Sequence, residues 1–170
     1  MGTNTIEVEV LTSSYRLKGK LKRSHSGVMS ILNDPTSSFI ELQDVCMGRI
    51  VAGNNLTQTM PVAQVLKTQI MAICFDNRED LMLQPLTRGT YLRPVRYPIS
   101  VTTPVYEIEG IYEWNGRLDL AVIMRKDGSS FVPLYDASLG AILFPDLFIQ
   151  SPVLLFNRDF LSTLVRIDEG

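Results

Sequence analysis

The side chains of this chain that could most readily act as catalysts or metal ligands are one histidine and two cysteines. His25 lies in a polar stretch without the neighbouring nucleophile or carboxylate that general-base catalysis needs, which favours a surface loop. Cys46 and Cys74 lie far apart in apolar, strand-like contexts, which indicates buried free thiols rather than a disulfide or a reactive pair. The sequence therefore predicts no catalytic residue, metal site or cofactor, and a protein that is not an enzyme.

A basic strand offers a second kind of chemistry, the binding of phosphate groups. The segment 16–23 holds five of the sixteen basic residues, and four of them alternate so that one strand face carries them. These candidates for an interaction surface are Arg16, Lys18, Lys20, Lys22 and the adjacent Arg23. A stripe of this kind predicts salt-dependent contacts to nucleic-acid phosphates.

An acidic strand stands at the matching place in the second half of the chain, with Glu107, Glu109 and Glu113. Two like strands of opposite charge can lie against each other, within one chain or head to tail between chains. The alternative is that both stripes are solvated outer faces, with lysines on an edge strand discouraging aggregation. Trp114 precedes an Asn-Gly hairpin signal, so it is either an interface anchor or part of ordinary hairpin packing.

Composition limits the classes of partner. The 170 residues are 45% hydrophobic and 20% charged, which is typical of a globular protein. The formal charge of -2 gives no global attraction to nucleic acid or to anionic lipid. No apolar run reaches the roughly 18 residues that span a bilayer, and the first residues lack a signal-peptide pattern, so a cytoplasmic location without membrane contact is expected.

The elements that position these strands belong to an internal repeat of about 80 residues. Residues 36–50 read TSSFIELQDVCMGRI and residues 128–142 read GSSFVPLYDASLGAI, with seven of fifteen positions identical. Chance would give about one such match. Residues 15–21 match 106–112 at nearly the same offset, and Phe75 with the following Asn-Arg answers Phe156. The downstream match places an insertion of about ten residues near 55–66.

This alignment predicts a first repeat at 1–84, a linker at 85–97 and a second repeat at 98–170. Alternation with period two predicts strands throughout, and short helical turns are expected at 27–33, at 117–124 and after Pro61. The apolar run 145–164 is predicted to be buried in the second core or in a contact between the copies.

Each repeat resembles the bent five-stranded barrel of Sm-like proteins. The resemblance lies in Val8, Val10, Tyr15, Gly19 and Leu21 of the first copy, and in Val101, Tyr106 and Gly110 of the second. It implies a mainly β fold of two tandem small barrels, each with about five strands and one short helix or turn, and ring-like edge pairing. RNA-binding members carry an Asp and an Asn before the third strand and an Arg/Lys-Gly-Asp motif near the last strands. Here Asn33-Asp34 is displaced from that place, and Asp76-Asn77-Arg78 replaces the second motif.

A second resemblance is to the PilZ domain, which binds cyclic di-GMP through an arginine pair and an Asp-x-Ser-x-x-Gly motif. Arg93, Arg96 and the stretch Asp136-Ala137-Ser138-Leu139-Gly140-Ala141 are similar to these elements. The last glycine is replaced by Ala141, and the first copy has Asp44 in the same place, which favours a structural feature of the repeat.

Taken together, the sequence predicts a non-catalytic interaction or scaffold module that associates with itself or with another protein. RNA binding through the basic strand and a cyclic di-GMP sensor are the alternatives.

Overall fold

The computed structural model describes residues 4–81, 93–125 and 129–167, which form ten β-strands and two short α-helices. The fold is mainly β, as predicted. The strands are β1 (Thr5–Leu11), β2 (Tyr15–Lys22), β3 (Phe39–Arg49), β4 (Gln58–Leu66), β5 (Ala72–Phe75), β6 (Val95–Thr102), β7 (Tyr106–Trp114), β8 (Phe131–Ala141), β9 (Phe148–Asn157) and β10 (Thr163–Arg166). The helices are α1 (Val28–Asn33) and α2 (Leu120–Met124), both within the predicted helical segments.

All ten strands belong to one antiparallel sheet in the order β10-β6-β7-β8-β9-β5-β1-β2-β3-β4. The sheet is open, because its end strands β10 and β4 do not pair with each other. The prediction of two separate barrels is therefore wrong. A barrel must close each half-sheet on itself, whereas here the side of β5 away from β1 pairs with β9 of the other half.

The first half, β1 to β5, and the second half, β6 to β10, have the same strand order and register. Val8 lies opposite Gly19 in the first half, and Ile99 lies opposite Gly110 in the second. We call residues with matching pairing partners in the two halves equivalent. Arg16 and Glu107 are equivalent in this sense, since each faces the single glycine near the end of the third strand of its half.

A β-bulge recurs at the same point in both halves. Asp44 and Asp136 have positive φ angles of 50° and 48°, where an aspartate is better tolerated than most side chains. Each bulge faces a strand glycine, Gly19 or Gly110, across the register shift. A glycine inside a strand permits a sharp bend or a close backbone approach, which the sequence alone indicates at Gly19 and Gly110. A Cβ atom on Gly110 would lie 3.0 Å from the Leu134 Cβ atom, so the approach is close.

The expected insertion near 55–66 is wrong, because this segment contains the whole of β4, which is equivalent to β9. Ile40 pairs with Val65, and the equivalent Val132 pairs with Phe156. Phe156 therefore corresponds to Val65 and not to Phe75, which ends β5. Two similar apolar strand ends misled the alignment. Pro61 lies inside β4 rather than at a helical turn, in an edge strand where proline is tolerated.

The predicted linker of 85–97 extends too far along the chain. Residues 95–97 already belong to β6, where Val95 pairs with Trp114. The rest of the predicted linker up to residue 92 lies outside the described residues.

Two hydrophobic cores are built on alternate residues of the central strands. In β5, Ile73 and Phe75 pack into the core of the first half, whereas Ala72 and Cys74 pack into the core of the second. All four residues are buried, so β5 is covered on both faces. Such a strand reads as a continuous apolar run rather than an alternation.

From Val153 to Asn157, strand β9 has the same property, and much of the apolar run 145–164 is buried, as predicted. Val153 and Leu155 join the core of the first half, and Leu154 and Phe156 join that of the second. Each half therefore supplies side chains to the core of the other.

We predict that Gly110→Ala destabilises the protein by about 1–3 kcal/mol, because the new methyl group would crowd Leu134 and Ala137, whose Cβ atoms lie 3.0 and 3.2 Å from its position. Urea unfolding measures the change. Gly140→Ala is the matched control, since the nearest atom to its Cβ position outside the neighbouring residues, a ring carbon of Phe148, is 3.7 Å away. Equal stability of the two variants would contradict the close approach at Gly110.

Candidate functional site

The contact between the halves, which we call the inner joint, is an antiparallel pairing of β5 with β9. Its register places Ala72 opposite Phe156 and Phe75 opposite Val153. Side chains add hydrogen bonds across it. The Ser151 hydroxyl donates to the Phe75 carbonyl at 3.0 Å, and the Asn157 amide group donates to the Ile70 carbonyl at 2.8 Å.

A tyrosine side chain also forms a hydrogen bond between the two halves. Tyr106 begins β7 and is fully buried, and its hydroxyl donates to the carbonyl of Thr12 in the other half at 2.6 Å. Burial raises the pKa of this phenol, so it remains a hydrogen-bond donor over the physiological pH range. The bond fixes the end of β1 against the start of β7.

An arginine completes the inner joint near the surface. Arg78 lies 2.9 Å from the Glu113 carboxylate and 3.8 Å above the centre of the Tyr135 ring. Glu113, predicted to belong to an interaction surface, is thus half-buried and already paired inside the chain.

The two end strands of the sheet, β4 and β10, form what we call the outer edges. By strand order and register, β4 is equivalent to β9 and β10 is equivalent to β5. Val62 is 48% exposed, although its equivalent Val153 is fully buried. Val165 is 55% exposed, although its equivalent Cys74 is buried. The outer edges therefore expose positions that the inner joint covers.

The basic strand is not a free positive surface. Arg16, Lys18, Lys20 and Lys22 do share one face, as predicted, but Lys18 and Lys20 lie opposite Glu9 and Glu7 of β1. Lys20 also lies 3.5 Å from the Asp44 carboxylate. The neighbouring carboxylates cancel much of the local charge.

Arg16 is a buried structural residue rather than a surface contact. Its guanidinium forms an ion pair with Glu9 and donates to the Asn54 side-chain oxygen at 2.7 Å. Lys22 is exposed, and Arg23 lies 3.6 Å from the Asp80 carboxylate.

The basic and acidic strands do not meet within the chain. Four strands separate β2 from β7 in the sheet. Glu107 and Glu109 are exposed on β7. The sequence signal of opposite charges therefore corresponds to equivalent positions, not to an internal contact.

Trp114 is half-buried and belongs to the core of the second half. Its ring stacks on Tyr112 with 6.0 Å between ring centroids. The Asn-Gly pair after Trp114 leads into α2, so the predicted hairpin is wrong: a helix intervenes before β8.

A cleft of about 260 Å³ opens where the short strand β5 ends between β1 and β9. Its charged lining mixes both signs, with Glu7, Glu9, Asp44, Asp76, Lys18 and Lys20. Within the described residues, no group of three or more His, Cys, Asp or Glu side chains is arranged to hold a metal ion.

The histidine and Cys74 have the environments that the sequence predicted, whereas Cys46 is only half-buried. His25 is exposed in the loop after β2. Both cysteines are free. Burial, with a smaller effect of Glu9, raises the pKa of Cys74 to about 12, so this thiol stays protonated at neutral pH.

The residues of the PilZ-like pattern come together in part. Arg96 lies 2.7 Å from the Asp136 carboxylate, so the two charges neutralise each other, and Arg93 is exposed. Asp44 adopts the same positive φ as Asp136, which gives the shared aspartate a backbone role in both halves.

Sequence reasoning missed the outer edges and the inner joint. A signal was present in the Pro-Val pairs at 61–62 and 152–153, which the registers make equivalent, and in the tyrosines at 15 and 106. The misplaced insertion hid the first of them.

No helix in the described part of the chain is long and apolar enough to cross a membrane. Comparison of the chain with protein-family models, with curated proteins and with solved structures finds no match.

We predict that Arg16→Met lowers the free energy of unfolding by about 3 kcal/mol, because it leaves the mostly buried Glu9 carboxylate without its partner. Lys18→Met, on the same strand face but exposed, should change it by less than about 0.5 kcal/mol. Chemical denaturation of both variants makes the comparison. Equal small effects would show that Arg16 has no structural role.

We predict that alkylation at pH 8 modifies Cys46 well before Cys74 in the native protein. Cys46 is only half-buried, whereas Cys74 is buried and holds its proton up to a pKa of about 12. Peptide mass spectrometry after iodoacetamide treatment reports both sites. Rapid labelling of Cys74 without unfolding would contradict its burial in the inner joint.

Proposed function

We propose that the chain is a non-catalytic interaction module that associates through the outer edges of its sheet. The observation that supports this most directly is the inner joint. One half already binds the other by adding strand to strand, and β4 and β10 are the equivalents of the two strands that do so.

The chemistry of an open sheet edge favours this role. An unpaired edge presents a row of backbone N–H and C=O groups, which is a template for a further strand. The two outer edges differ from each other, so pairing β4 of one molecule with β10 of another is heterologous. Repeated contacts of this type produce a ring where the rotation closes, and a filament where it does not. The proposal includes the ring-like edge pairing that the Sm-like resemblance implies. It also includes an origin of the two halves by duplication.

The outer edges are less apolar than the inner joint. Gln64 in β4 stands where Leu155 lies in β9, and Arg166 in β10 stands where Phe75 lies in β5. An association through these edges buries less apolar area and should be weaker than the contact inside the chain. Reversible assembly is the expected behaviour.

The other two hypotheses gain no support from particular contacts. The lysines of β2 face carboxylates, and Arg96 is paired with Asp136. RNA binding and cyclic di-GMP binding stay predictions, for which filter binding at two salt concentrations and calorimetry are the respective measurements.

We predict that Val62→Lys lowers the average mass in solution to that of the monomer at concentrations where the native chain associates. A lysine on an open edge disfavours the approach of another strand, and Val62 is exposed, so the fold should tolerate it. Size-exclusion chromatography with light scattering over a concentration series measures the mass.

The matched control is Phe148→Lys, which replaces an exposed apolar side chain on β9, a strand inside the sheet. It should leave the association unchanged. A native chain that stays monomeric at all concentrations would overturn the proposed function.

A further inference from the structure

We infer that the partner at the outer edges is a second copy of this chain, joined in the single register that repeats the inner joint, with the Tyr15 hydroxyl of one copy bound to the Thr103 carbonyl of the next. This inference rests on the proposed function and specifies its partner. It is carried by equivalences between the two halves.

The register follows from the strand pairings. At the inner joint, Cys74 faces Leu154. Ala63 is the equivalent of Leu154, because each pairs with the equivalent leucine of the third strand, Leu42 or Leu134. Val165 is the equivalent of Cys74, because Ser100 and Glu9, their partners, are themselves equivalent. Pairing of the outer edges in the same register therefore places Val165 of one copy opposite Ala63 of the next.

A tyrosine stands ready for the same hydrogen bond. At the inner joint, Tyr106 belongs to the half that supplies β9, and Thr12 belongs to the half that supplies β5. Their equivalents, Tyr15 and Thr103, lie on the halves that supply β4 and β10. The local turns also match, since the Thr12 amide donates to the Tyr15 carbonyl and the Thr103 amide to the Tyr106 carbonyl, both at 2.9 Å.

The exposure of the two tyrosines differs as this assignment requires. Tyr106, with the neighbouring half against it, is fully buried. Tyr15, which has no such neighbour among the described residues of the single chain, is 37% exposed. A buried Tyr hydroxyl usually needs a partner, and the second copy supplies one at the equivalent carbonyl.

The same geometry excludes symmetric pairing as the source of this bond. Two β4 strands together would bring two tyrosines and no Thr103, and two β10 strands would bring two Thr103 carbonyls and no Tyr15. Only the head-to-tail contact joins the donor to its acceptor, so the hydrogen bond selects the heterologous arrangement.

Disulfide formation between two single-cysteine variants tests the register. The native cysteines are first replaced by the residues at their equivalent positions, as Cys46→Ser and Cys74→Val. On this background, one variant carries Ala63→Cys and the other Val165→Cys. Under mild oxidation, their mixture should give a covalent dimer, and neither variant should do so alone.

Leu164→Cys mixed with Ala63→Cys is the control, because neighbouring strand positions point to opposite sheet faces. It should cross-link at least tenfold more slowly than the matched pair. Faster cross-linking of the control, or of either variant alone, would overturn the inferred register.

Tyr15→Phe tests the hydrogen bond. We expect the dissociation constant between copies to rise about fivefold, as for the loss of one hydrogen bond, with the unfolding of the single chain unchanged. Tyr106→Phe is the matched variant and should instead lower the stability of the single chain, since it removes the inner bond.

The outcomes separate the inference from the proposed function. An oligomer that forms normally with Tyr15→Phe and does not cross-link between 63 and 165 would overturn the inference and leave the module proposal intact. A strictly monomeric native chain would overturn both.

Discussion

The pairing of β5 with β9 is the interaction on which the rest of the structure depends. Strand β5 is buried on both faces, as is β9 from Val153 to Asn157, and each strand sends alternate side chains into the two cores. Burial of apolar side chains on both faces of the sheet stabilises this strand pair, because apolar area is removed from water on both sides. It also accounts for the open sheet, because a strand edge that would close each half into a barrel pairs with the other half instead.

The pairing of β5 with β9 also decides which strands remain at the two ends of the sheet. In each half, the fourth strand (β4 or β9) and the fifth strand (β5 or β10) lie at the two edges of that half. The inner joint pairs β9 with β5. The chain is left with the complementary pair, β4 and β10, at the two ends of its sheet. The sequence keeps a proline and a valine in both fourth strands, and a tyrosine at the start of both second strands. In the assembly that we propose, the more polar residues at the outer edges favour reversible association.

Much of this fold was predictable from local patterns. Alternation located β1 and β2, the internal repeat located β7 as the counterpart of β2, and the glycines at 19 and 110 marked close backbone approaches at the bulges. The joining of the halves was not predictable, because β5 and β9 are apolar runs without a period, and such a run does not say which strand covers it. The charge of β2 was misleading because a pattern along one strand does not include the neighbouring strands. Glu7 and Glu9 are only one hairpin away in sequence, and they lie opposite Lys20 and Lys18.

Hydrogen exchange followed by mass spectrometry, at concentrations below and above the onset of association, tests the central claim most directly. If the outer edges join as the inner strands do, added protection on assembly will be concentrated in β4, in β10 and at the start of β2 around Tyr15, while β5 and β9 are protected at every concentration. Protection that appears instead on the sheet faces, or that leaves β4 and β10 unchanged in the assembled protein, would contradict it.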